Sequence, residues 1–542
     1  MSMASRTVGH NGLRPCRWCN IQGIRAPDGK TYYVPLDRSH HPCVHDDPNA
    51  IRNYDPLNLP MRSHAEMRAQ AEEIQFADTL TAAKTFSTQY GIKGTSIFHN
   101  LSSIIFPYAF PFDFMHLVFE NNAKNLIGLW TGTYKDLDEG NGEYQFEAGT
   151  WETIGKETLA AGKHIPSAFG AKPPDIADDK TAMTADAYSF WFQYLGPVLL
   201  EDRFPQPIYY RHFVEFVKLM KLCLEFELDP TQVEEIRNGF KVWVEEYEKL
   251  YYQYDPDRTR ACPLTLHALL HIVDGIQWVG PVWTYWAFPM ERYCGRLQPA
   301  IKSRRHPFAA IDNYIASFAQ LSHLKIMYNL HHELEMQPHK KRAMLLTPPE
   351  VPSHIQLILL AFFFLPQNHQ RPYHPFGTRK SKSASQLGHR VSQWGKVRRL
   401  EGGDDMKASS LEKPQEDTRD ATWVKYDLLV DIHASRRGRL PQFVNKTFYG
   451  QLNHLFVVSF PATPSLGIDN DTTLLLAGIH QCANVKEGNG LKMPYYSRMG
   501  AKEAVDITSV QCLVGRIPRP SNQWAILDRS GELQRSCYVP DE

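Results

Sequence analysis

Over about residues 61–135 and 186–336, apolar side chains recur mainly three and four positions apart, and after about residue 422 they alternate with polar ones. The first pattern predicts helices and the second predicts half-buried strands. Met61 to Phe76 is rich in good helix formers, and a second apolar face follows at Leu117, Phe119, Leu126, Ile127 and Leu129, so two or more helices are expected between 61 and 135. Residues 136 to 182 are crowded with Gly, Pro and Asp and read as loop with short elements. From 186 to 336 the apolar series Phe213, Val217, Leu219, Met220, Cys223, Leu224 and then Phe240, Val244, Tyr247, Tyr251 predicts a large helical bundle. The apolar run Ile355 to Leu365, closed by Pro366, is too short for a membrane span, which needs about 20 residues, and is expected to be a buried helix. Residues 367 to 420 turn first basic and then acidic, as a flexible linker does. The runs 453–460, 472–479, 504–515 and 523–528 are β-rich and separated by Pro, Asn and Gly, which predicts a small β-barrel or sandwich.

The fold class is therefore α+β, with expected divisions at 1–135, 136–336, 337–421 and 422–542. At 542 residues the chain exceeds a single small module, and 43% hydrophobic with 22% charged residues is enough to bury a core over most of it. Lys+Arg and Asp+Glu both total 59, which excludes a uniformly basic nucleic-acid coat, so any nucleic-acid contact must come from local patches. The nine cysteines are odd in number and spread thinly, which suits thiols or metal ligands in a reducing compartment. The opening residues lack the apolar core of a secretory signal, so an intracellular protein is expected. Residues 1 to about 60 hold much Cys, His, Pro and Gly with little periodicity, which suggests a loop-rich knuckle held by a metal.

Cys16-Arg-Trp-Cys19 has the spacing that turns two sulfurs toward one tetrahedral ion. Two sources could complete the ligand set. One is local: His40, His41, Cys43 and His45. The other is distant: His267-Ala-Leu-Leu-His271, whose i, i+4 histidines share a helical face. Taken alone, that pair reads more readily as two buried, hydrogen-bonded histidines. Ala268 stands where a zinc protease carries its glutamate, so that activity is disfavoured. Glu291 falls in the first turn of a helix opened by Pro289, where it can serve the helix dipole or carry a metal. Asp113 and His116 lie three apart and form either an orienting couple or part of a site. No P-loop and no Gly-x-Ser-x-Gly elbow occurs, which removes the corresponding nucleotide and serine hydrolases.

In order along the chain, Gly9-His-Asn-Gly, Cys16-Arg-Trp-Cys19, Pro111-Phe-Asp-Phe-Met-His-Leu117, Cys262-Pro-Leu-Thr-Leu-His-Ala-Leu-Leu-His271, Gly280-Pro and Phe288-Pro-Met-Glu-Arg-Tyr-Cys-Gly295 resemble the transposases of CACTA (En/Spm) elements over about residues 1–330, with weaker motifs in the β-rich end. The resemblance implies a partial ribonuclease-H-like core with a large α-helical insertion, plus the C-terminal mainly-β domain. It implies an Asp-Asp-Glu triad whose Glu is Glu291, working with Mg²⁺ or Mn²⁺ in an intact parent. By analogy with related recombinases, it also implies one structural Zn²⁺ on Cys16, Cys19, His267 and His271, stapling the two ends of the insertion. The first Asp of the triad would precede this sequence and the second would fall near Met1, as in an N-terminally truncated member. The chain is then expected to be catalytically incomplete. DNA is the implied partner, through Arg296, Lys302, Arg304, Arg305 and the basic 379–399 stretch, which could equally be a solvated linker. A nuclear location and a homo-oligomer are compatible with it, and no membrane contact is expected. The alternative is a non-enzymatic, zinc-stapled scaffold for a protein or chromatin partner.

Overall fold

The computed structural model describes residues 4–27, 29–178, 183–303, 305–331, 333–334, 390–398, 403–411, 419–433, 440–462, 469–488 and 490–530. The apolar run 355–365, most of the basic 379–399 stretch and Arg304 lie outside the described residues. Mixed helix and sheet is what the sequence pattern predicts, and the two are segregated along the chain.

The helical part begins with a loop-rich knuckle carrying one small ribbon, β1 (Ile24–Arg25) on β2 (Tyr32–Tyr33). Helices α1 (His64–Gln75) and α2 (Leu80–Tyr90) follow, each opened by a side-chain cap, Ser63 and Thr79. A π-helical stretch, Met115–Asn122, runs on into α3 (Ala123–Trp130). The Asn122 side chain holds this wide turn by donating to the carbonyls of Leu117 and Thr265. The segment expected as loop contains a full helix, α4 (Thr150–Ala161). It starts after Gly149 at φ 82, and it buries Ile154, Thr158 and Ala161, with Thr158 accepting from the Trp191 indole. A helical run over Ala185–Phe190, Trp191–Leu195 and Gly196–Leu199 leads to the long pair α5 (Pro207–Cys223) and α6 (Pro230–Tyr247). Asp229 and Gln232 close a reciprocal capping box at the start of α6. The chain then returns through Leu264–His267, a tight turn at Ala268–His271, and α7 (Ile272–Val279).

Two more helices, α8 (Phe288–Leu297) and α9 (Pro307–Met327), bury no residue. Both remain helical although Met290, Phe308, Ile326 and Met327 are each more than 60% exposed. Among the described residues no helix is long and apolar enough to cross a membrane.

The β domain starts earlier than the alternation suggests. Residues read as flexible linker form β3 (Arg390–Trp394), β4 (Lys396–Arg398) and β5 (Asp405–Lys407). Lys396 and Arg398 both pair with Asp405, so two of the linker's basic residues are neutralised inside a hairpin. The strands β6 (Trp423–Asp431), β7 (Phe443–Phe460), β8 (Thr472–Ala483), β9 (Lys486–Gly488), β10 (Met493–Tyr496), β11 (Arg498–Asp506), β12 (Val510–Leu513), β13 (Gly515–Arg519) and β14 (Gln523–Leu527) complete it. They form an antiparallel sheet in the order β11-β8-β7-β6-β12, with β3 also on β7, and a second sheet β13-β14-β10-β9.

The β domain is fastened to the helical part. Arg419 donates to the carbonyls of Ile165, Pro166 and Gly170, the buried Arg529 donates to that of Phe169, and Arg519 pairs with Glu201. One apolar core runs unbroken from Cys16 through Trp191 to Leu527.

Candidate metal centre

The knuckle is locked before any ligand is considered. Trp18 is fully buried and its indole donates to the Phe110 carbonyl at 2.9 Å. Arg62, 1% exposed, donates from Nε to the carbonyls of Cys16 and Cys19 at 3.1 and 3.3 Å and from Nη1 to that of Tyr90 at 2.7 Å. Buried carbonyls need such partners, and here one guanidinium holds both cysteines in place. Nothing in local spacing marks Arg62, which lies just ahead of α1.

From the other end of the helical part, the turn Ala268–His271 brings His267 and His271 face to edge, with ring centroids 5.0 Å apart. His271 is gripped between Trp18 and Phe112, the latter stacked on its ring. The two imidazoles meet the two sulfurs: Cys19 Sγ lies 3.2 Å from His267 Nε2, and His267 Nε2 lies 3.2 Å from His271 Nε2. One ligand atom from each of Cys16, Cys19, His267 and His271 falls within 4.8 Å of the others, and all four residues are buried. Zn–N of about 2.0–2.1 Å and Zn–S of about 2.3 Å imply ligand separations of roughly 3.3–3.8 Å around a tetrahedron, so the cluster already has nearly the required size. The four residues fit a metal ion.

The electrostatics agree. Burial raises the Cys16 thiol, but a hydrogen bond from Cys19 and the charge of His271 outweigh it and hold Cys16 well below the thiol range. Burial and the neighbouring Cys16 push Cys19 up. Burial opposes protonation of His271, yet the Cys16 thiolate and the Asp274 carboxylate push its pKa up to about 9, whereas burial keeps His267 low.

The local alternative does not join it. Cys43 Sγ turns to His41 Nδ1 at 2.8 Å, His41 Nε2 lies 2.8 Å from the Arg25 carbonyl, and His45 sits on the surface beside Asp46. Among the described residues the distant histidines complete the set. No family model, no curated protein and no solved structure matches this chain.

A second cluster joins the Asp113–His116 pair to Glu291, which spacing could not connect to it. Asp113 Oδ1 accepts from the Ala287 backbone N–H at 2.6 Å, holding the entry to α8, while Oδ2 pairs with His116 Nδ1. On its far side, His116 Nε2 lies 3.0 Å from Glu291 Oε1 and 3.9 Å from Glu120 Oε2. Burial works against the His116 charge, but Asp113, Glu120 and Glu291 raise its pKa. Glu291 is half exposed. Of the cations expected to face DNA, Arg296 lies over the Phe318 ring, and Lys302 and Arg305 are exposed.

Proposed function

We propose that this chain derives from a DNA transposase of the CACTA type, that its four-ligand centre holds a structural Zn²⁺, and that Glu291 is the carboxylate a ribonuclease-H-like core would use. The observation that carries the reading is the meeting of Cys19 with His267 across 248 residues, ahead of an acid in the first turn of a helix that buries nothing. Two thiolates and two imidazoles at tetrahedral spacing favour zinc over the harder divalent ions. The ion would close the loop of the helical insertion and set where α8 emerges. Cys16, Cys19, His267 and His271 hold it, and Arg62 braces the knuckle. The exposed faces of α8 and α9 support the reading, because a catalytic sheet packs on such surfaces. A two-ion phosphodiester reaction needs carboxylates from three acids, and the sequence supplies one position matching the triad. The chain by itself is therefore expected not to cut DNA.

DNA binding is tested with the full chain and duplexes bearing terminal repeats. Affinity should fall steeply with salt, since each phosphate contact releases counterions, and Lys302→Ala with Arg305→Ala should flatten that slope. Cleavage with Mg²⁺ or Mn²⁺ that disappears in Glu291→Gln would overturn the inactive assignment. The contact of His116 with Glu291 favours a second reading, a zinc-stapled scaffold without enzymatic activity that binds a protein or chromatin partner. Absence of salt-dependent DNA binding at low ionic strength would select it.

A further inference from the structure

Beyond the four ligands, a charged relay reaches the centre from the helical insertion. We infer that Asp274 and Arg237 position His271 as the firmly held imidazole of the centre, and that His267, which has no such support, is the arm that releases first. The inference rests on the metal reading above. His271 Nδ1 lies 3.0 Å from Asp274 Oδ2. The other carboxylate oxygen, Oδ1, accepts from Arg237 Nη1 at 3.1 Å, and Arg237 Nη2 donates to Gln277 Oε1 at 2.9 Å. Asp274 and Gln277 belong to α7 and Arg237 to α6, so the relay ties the ligand-bearing turn to the long helical pair. Arg237 also lies 3.5 Å from Glu234 on its own helix.

A carboxylate that accepts from Nδ1–H leaves the Nε2 lone pair free, which is the form of imidazole that binds a metal. When an ion takes Nε2, Asp274 thus holds the remaining ring proton on Nδ1 of His271. His267 differs. Its Nδ1 is buried and has no hydrogen-bond partner among the described residues. In the tautomer that offers Nε2 to a metal, the Nδ1–H is left unmet. In the other tautomer, the N–H points at the ligand cluster. No group behind Nδ1 among the described residues favours the binding form of His267. Two histidines four residues apart, equivalent by spacing, are made unequal by what stands behind them.

The test uses the full chain and Zn²⁺, with affinity read by competition against a chromophoric chelator. Asp274→Asn should weaken zinc binding roughly 10- to 100-fold, the range for losing an outer partner of a metal-bound imidazole, with one zinc per chain still bound at saturation. Arg237→Gln should weaken it less, in the same direction, and His271→Ala should cost more affinity than His267→Ala. In Co²⁺-loaded protein, Asp274→Asn should move the ligand-field bands while the thiolate-to-cobalt bands remain, a change that loosening of α7 alone would not give. If wild type and Asp274→Asn bind one zinc equally tightly, the relay is refuted and the metal centre stands. If the wild type takes no zinc, the centre itself is refuted. Should Asp274→Asn fail to fold, Arg237→Gln decides, and an unchanged affinity there counts against the relay.

Discussion

Stripping the metal should unfasten the helical part, and the size of the effect can be worked out. The candidate centre joins Cys19 to His267 across 248 residues. A covalent link that persisted in the unfolded chain would remove about 5–6 kcal/mol of loop entropy for a loop of that length, which is a ceiling. An ion that leaves on unfolding contributes instead through its binding equilibrium, about 2.7 kcal/mol at free zinc 100-fold above Kd and about 1.4 kcal/mol per further decade. Unfolding a helical part of roughly 320 residues carries an entropy of about 0.7 kcal/mol/K. Each decade of free zinc should therefore move Tm by about 2 °C, and removal from 100-fold saturation should lower it by about 4 °C. Scanning calorimetry in zinc buffers spanning several decades measures this directly. Cys16→Ser and His271→Ala should abolish the slope. A Tm that does not respond to free zinc in the wild type would refute the clip.

Other outcomes follow from buried charges and from the domain joint. Glu248 is 2% exposed; burial pushes its pKa up to about 7 from an ordinary 4.5, against the pull of hydrogen bonds from the Leu36 and Asp37 N–H groups. Its contribution is then full below about pH 4.5 and lost as pH rises through 7, roughly 3 kcal/mol in all. Urea midpoints at pH 5 and 8 should show that loss in the wild type and a smaller one in Glu248→Gln; equal slopes would exclude the assignment. Asp113→Asn should lower the titration midpoint of His116 followed by NMR, because Asp113 helps raise it, and an unmoved midpoint would remove Asp113 from that role. Since the folded pKa of His116 is raised, the stability it contributes is full below about pH 6.5 and fades as pH climbs past the folded value. Arg419→Ala removes three hydrogen bonds to carbonyls of residues 165–170, worth about 2–4 kcal/mol together. Limited proteolysis should then release the β domain earlier than in the wild type, and identical digestion would show that the joint does not depend on this residue.

The residues that chemistry restricts were the ones legible in the sequence. The spacing of Cys16 and Cys19 advertised a metal but left its partners open between the nearby His40, His41, Cys43 and His45 and the distant His267 and His271; the fold brings the distant pair to the sulfurs. The change from helical to alternating periodicity likewise marks where the sheets begin, but only to within about thirty residues, because Lys396 and Arg398 look like linker until Asp405 is seen beside them. Helix α4 was hidden by the glycines and prolines around it; what holds it is burial of Ile154 and Thr158 beneath the Trp191 region, a tertiary effect that overrides local composition. The His116 to Glu291 contact and the Arg62 brace could not have been read, since both join positions whose spacing carries no period.

The surface of α9 has a practical consequence. Phe308, Ile326 and Met327 are exposed along a helix of 21 residues, a row of apolar side chains left uncovered by the described residues. Purified alone, the chain should cling to hydrophobic resins and salt out early in ammonium sulfate, which sharpens the aversion of such rows to solvent.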